Sequence, residues 1–262
     1  RGILLKTVQD YEKALVDFNR ALVIDPHNAI LLMSRGSLFF QMGAYSQSQE
    51  DTFQALTLNP HYSEAWNNLG LSYYRQGCFK KSIDAFKEAL DIKPHFTQAR
   101  FHLSILLLLL GKYTEGFLLY ESRLNNRSNF SMESSSSSLL LYTEQGFGDS
   151  IQMLRYLPLL SRFRISIQVP CSLVSLVRDT VKGISVYTQE EKPAQTDWQC
   201  SLMSLPFYFK TTLQTIPPPL KFASSVSFPL GRKVYPRVGL AWFGNPEYPY
   251  DRLRSLELSM LL

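Results

Sequence analysis

The stretch SEAWNNLGLSYYRQGCFKKSIDAFKEALDIKPHF, residues 63–96, decides how the rest of the chain is read. Its apolar residues recur at helical spacing in two runs, with Gly77 between them and Pro94 after them. Side chains three or four apart share a helix face, and proline cannot continue a helix, so the stretch predicts helix, turn, helix, stop. Small Gly70 and Ala89 permit close approach of the two helices, and Trp66, Tyr73 and Phe86 fill the space between them. Gly77 suits the turn, where a left-handed backbone is cheap only for glycine.

The pattern repeats outward. Pro26, Pro60 and Pro94 stand 34 residues apart, as do Gly43, Gly77 and Gly111, then Ala21, Ala55 and Ala89. A 34-residue helix–turn–helix period resembles the tetratricopeptide repeat. The copy from Ala29 to Tyr62 keeps Gly36, Phe39, Ala55 and Pro60 but has Leu32 at the tryptophan position and Ser48 where alanine is usual. Before it the reading finds only a second helix, Tyr11 to Ile24. The copy starting at Thr97 fades beyond Tyr120, with Arg123 at the small-residue site. A repeat array is therefore expected over residues 1–125, beginning in mid-repeat, as in a fragment that has lost upstream repeats.

Composition suits two soluble cores: 262 residues, 45% hydrophobic and 19% charged. The net charge of +5 is spread without a basic block, so nucleic acid is not an expected partner. The apolar run Leu103 to Leu110 is far short of the roughly 20 residues that span a bilayer, and no transmembrane segment is expected. Three cysteines, Cys78, Cys171 and Cys200, lack metal-ligand spacing and read as free thiols in a reducing, cytoplasmic compartment. No metal and no resident cofactor is expected.

Residues 126–138, rich in Ser and Asn, read as a linker. A second domain is predicted over 139–235. Leu139 to Thr143 is a strand-length apolar run, Gln145 to Asp149 a turn, and Ser150 to Leu160 helical. Arg164 to Val169, Ser172 to Val181 and Ile184 to Tyr187 then read strand, helix, strand, and Asp197 to Tyr208 is another strand-to-helix passage. Such alternation predicts a parallel sheet of Rossmann type, giving an α + α/β chain. A fresh strand at Arg237 to Trp242 opens a further part, 236–262.

The residues Glu144 to Gln152 with Arg155 to Pro158, then Cys200 to Pro206, then Arg237 to Pro246 with Asp251 to Ser255, together resemble the glycosyltransferase family 9 domain of bacterial tetratricopeptide proteins related to heptosyltransferases. The resemblance implies a GT-B fold whose first half binds acceptor and whose second half, begun at 236, binds a nucleotide-sugar donor as substrate. It implies Asp149 as general base, which inverting transfer needs on the acceptor hydroxyl. Gln145, Gly146 and Gly148 would form the acceptor-side loop, and Gly244, Asn245, Arg252 and Arg254 would meet the donor diphosphate. With the donor half cut short, the chain alone is expected not to transfer.

Asp149 has a second reading, a helix N-cap bonding amides near Gln152. Gly146 and Gly148 do not make a dinucleotide fingerprint, because the third glycine falls at Ile151. All four histidines, His27, His61, His95 and His102, lie in the repeats, so no histidine triad can form in the second domain. Asp197, Asp251 and Arg252 are secondary candidates there. In the repeats, first helices line the concave side of a superhelix and can hold an extended protein or peptide segment. Asn67, Asn68, Arg75 and His102 are the candidates for that face. Two functions follow: a repeat-guided glycosyltransferase, or a protein-binding scaffold with an inactive transferase-like domain.

Overall fold

The computed structural model describes residues 2–124, 130–133 and 138–221, with side chains from residue 10 onward. The expected linker, apart from Phe130–Glu133 and Ser138, and the expected donor part with Gly244, Asn245, Arg252 and Arg254 lie outside the described residues. Arg1–Ala223 forms one compact unit.

Seven helices open it: α1 (Gly2–Ile24), α2 (Ala29–Gln41), α3 (Tyr45–Leu58), α4 (Ser63–Arg75), α5 (Phe79–Ile92), α6 (Thr97–Leu109) and α7 (Tyr113–Tyr120). First helices start at 29, 63 and 97 and second helices at 45, 79 and 113, which is the predicted period. The helix before the first full pair begins at Gly2, well ahead of the expected Tyr11. Gly43, Gly77 and Gly111 have φ of +80°, +74° and +75°, the left-handed region that side chains avoid. A Cβ on Gly70 would stand 2.6 Å from the Phe86 ring, so the close approach read from the sequence is real.

After α7 the chain forms a four-stranded parallel sheet of β1 (Ser138–Tyr142), β2 (Arg164–Val169), β3 (Ser185–Thr188) and β4 (Trp198–Ser201), in the order β3-β2-β1-β4. The helix α8 (Phe147–Met153) lies between β1 and β2, α9 (Cys171–Thr180) lies between β2 and β3, and α10 (Leu205–Tyr208) follows β4. The predicted helix Ser150 to Leu160 is instead α8 followed by a 3₁₀ turn over Leu154–Leu160 that contains Pro158, which cannot donate the α-helical hydrogen bond.

One face of the sheet carries the core. Leu139, Leu141, Ile165, Ile167, Val169, Val186 and Cys200 pack there against Met153, Leu157, Leu160, Leu173, Val177 and Leu205. A doubly wound sheet has helices on both faces. Here β1 to β2 and β2 to β3 step the same way, which puts α8 and α9 on one side. The connection that reverses direction, 189–197, contains no helix. The opposite face instead bears Tyr142, Gln168 and Gln199 around a shallow hollow of about 360 Å³. The parallel sheet matches the sequence reading, while the two-sided Rossmann layering does not appear among the described residues.

Candidate functional site

First helices α2, α4 and α6 touch one another in turn, while no comparable contact joins α3 to α5 or α5 to α7 among the described residues. The first helices therefore line the inner, tighter side of the superhelix. Asn68 Nδ2 donates to Ser37 Oγ at 2.7 Å and reaches Met33 Sδ at 3.3 Å. One period on, His102 Nδ1 meets Asn67 Oδ1 at 2.9 Å. The same rung is thus built twice, each time reaching back to the preceding repeat. Burial lowers the pKa of His102, so the ring is neutral at pH 7 and Nδ1 can donate to the Asn67 carbonyl oxygen.

These ties change how the sequence candidates are used. Asn67 is only 5% exposed and its oxygen is engaged by His102. Asn68 and Arg75 are half-buried, with the Arg75 guanidinium 5.9 Å above the Phe40 ring. His27, His61 and His95 are exposed loop residues.

At the sheet, the strand order reverses between β1 and β4, the position at which open α/β sheets bind ligands beyond their strand ends. Arg123, just past α7, fills that position. Its Nε donates to Glu144 Oε1 at 2.8 Å, its Nη1 to Glu121 Oε1 at 2.8 Å, and its Nη2 to Ser204 Oγ at 2.9 Å, while its guanidinium lies 4.4 Å from the Tyr120 ring centre. Burial would lower its pKa, but Glu121 and Glu144 outweigh that and raise it. The result is a buried, hydrogen-bonded lock between the last repeat and the ends of β1 and β4.

Asp149 lies beside this lock without joining it. It is exposed, in the first turn of α8, and its N-cap reading is corrected: Gly146 occupies that position, since the helix begins at Phe147. Gln145, Gly146 and Gly148 are likewise exposed, and a Cβ on Gly146 would meet only Asp149 Oδ2, at 3.7 Å. The secondary candidate Asp197 accepts from Ser138 N at 2.7 Å and Ser138 Oγ at 2.8 Å, which holds its pKa below the usual carboxylate range and ties β4 to β1.

Residues 63–96 match the family model of the tetratricopeptide repeat. The chain carries tetratricopeptide repeats. Similar solved structures include a MamA crystal structure (21% identity, 45% of this chain and 68% of that one, TM-score 0.41). Another is Pseudomonas aeruginosa PilF (19%, 48% and 59%, 0.42), and a third is the first tetratricopeptide domain of Spaghetti (RPAP3) bound to an HSP90 peptide (20%, 42% and 86%, 0.38). A comparison with curated proteins gave no match.

Sequence reasoning missed a second polar lock within the tetratricopeptide repeats. Arg35 Nε and Nη2 donate to the two oxygens of Asp51 at 2.7 Å each, and Nη1 donates to Asn19 Oδ1 at 2.8 Å. The signal was available: one period on, the same two positions hold Leu69 and Ala85, both buried. The degenerate copy has replaced an apolar contact with a bidentate ion pair.

Proposed function

We propose that this chain is a protein-binding scaffold: the inner face of its tetratricopeptide repeats holds an extended segment of a partner, and the sheet unit is a platform locked to the end of the array. The carrying observation is the repeated cross-tie, Asn68 to the second repeat and His102 to the third. It fixes the first helices before any partner arrives, and a preorganised groove spends less of its binding energy on ordering. Asn68 and Arg75 supply an amide and a cation along that face. Three unlinked thiols suit the cytoplasm.

Selection from a displayed peptide library on the immobilised chain tests this. We expect enriched peptides whose affinity falls roughly tenfold when Asn68→Ala and Arg75→Ala are combined, as for a binding hot spot. No enrichment, or undiminished binding by the double variant, would reject the groove.

A second reading, sugar transfer from a nucleotide donor to a hydroxyl acceptor with Asp149 as base, is favoured by the reversal of strand order between β1 and β4 and by the exposed carboxylate beside it. Arg123 in that crevice weighs against it. Release of nucleoside diphosphate from a panel of nucleotide sugars by the wild type, lost in Asp149→Asn, would reverse the ranking.

A further inference from the structure

Among the described residues, no helix follows α7 at the repeat period. In the third repeat Phe79 and Ile83 of α5 pack into a cluster with Leu103, Leu106 and Leu107, which belong to the next first helix, α6. One period on, Tyr113 and Phe117 of α7 occupy the places of Phe79 and Ile83. The helix that should cover them would start at 131, but Met132–Glu133 form a turn and Ser138–Tyr142 are β1. Part of the vacancy is filled by Met132 and α10. What is left is a hollow of about 490 Å³ lined by Tyr113, Phe117, Leu118, Met132, Phe207 and Tyr208. It continues past Tyr113 and Thr114 into a second hollow of about 420 Å³ beside Leu213 and Gln214. The two together run along α7 as a groove, with Leu118 49% and Leu213 67% exposed at its edges.

We propose that this groove receives an amphipathic helix of a partner protein, presenting leucines at i, i+3 and i+4 as α6 does to α5. The chain itself displays the equivalent packing one repeat earlier, where the leucines of α6 meet Phe79 and Ile83, and this sets the chemistry of the occupant: an aliphatic ridge, laid here against Tyr113 and Phe117 in the helix-in-groove mode. A single small ligand would leave the elongated second hollow unused. The surface is separate from the inner face of the first helices, so the chain would hold two segments at once.

The test uses the full chain and a fluorescent helical peptide that copies Thr97–Leu110 with the exposed Leu109→Lys and Leu110→Lys changes for solubility. Saturable binding is expected by anisotropy. It should weaken roughly tenfold in the chain variant Leu118→Glu, whose exposed site leaves folding intact, and should persist in Asn68→Ala. A control peptide with Leu103→Ser, Leu106→Ser and Leu107→Ser should not bind. A photo-crosslinker at the Leu106 position of the peptide should label Phe117, Phe207 or Tyr208. Absence of saturable binding, indifference to Leu118→Glu, or crosslinks on the inner face of α2, α4 and α6 or on the open face of the sheet would each overturn the proposal.

Discussion

Among the described residues, the buried apolar side chains of the repeats fall into four small clusters, whereas the sheet and its helices share one cluster running from Phe130 to Leu205. The difference follows from topology. A helix pair buries its face against the pair beside it and nothing further, so stability accrues repeat by repeat. Parallel strands pair across long stretches of chain, so the sheet core forms as a whole or not at all. Arg123 connects the two regimes, standing where the small residues Ala55 and Ala89 stand in earlier repeats.

The strongest way to break this comparison is Arg123→Ala. It strands Glu121, only 3% exposed, and leaves Glu144 without its cation, and should cost about 3–5 kcal/mol by chemical denaturation. Burial raises the pKa of the neighbouring Cys200 thiol, so in the native chain the exposed Cys78 and Cys171 should alkylate and Cys200 should not. Arg123→Ala should let Cys200 react. If that thiol stays silent and stability is unchanged, the lock is not what joins the regions.

Matched core truncations sharpen the contrast. Leu141→Ala and Leu69→Ala each remove a fully buried leucine and should cost about 2–5 kcal/mol. Hydrogen exchange should show lost protection across all four strands in the first case and only around α4 and its neighbours in the second. Equal spreading of both effects would refute modular repeats. Gly70→Ala comes next, at about 1–3 kcal/mol, because its methyl would meet the Phe86 ring at 2.6 Å; thermal unfolding reads it.

The smallest effect is a pH dependence confined to the repeats. The folded pKa of His102 is below its ordinary value near 6.5, so its contribution to stability is complete above that value and declines as pH falls through it toward the folded pKa. Denaturation midpoints of the wild type should fall between pH 7 and 5 more than those of His102→Gln. Parallel curves would show that the ring is not the titrating group.

Much of the fold was legible because its signals are local. The 34-residue period, the turn glycines and the proline stops placed six repeat helices, and four short apolar or alternating runs placed the strands. The sites were less legible. Asn67, Asn68 and His102 could be assigned to the inner face by periodicity, but that Asn67 is buried and spent on His102 depends on how adjacent repeats nest. Asp149 could be placed after the first strand, yet its exposure beside an already occupied crevice depends on an arginine 26 positions earlier in the chain.

By itself, then, the sequence determined the element types, their order and the parallel sheet, since helix and strand periods, glycine turns and proline stops act over a few residues. Tertiary structure alone decided that, among the described residues, one face of the sheet goes without helices, that Arg123 turns from its repeat to plug the strand ends, and that hollows are left along α7. Each depends on which distant surfaces meet, and burial, ion pairing and vacancy are properties of those meetings rather than of any one stretch of chain.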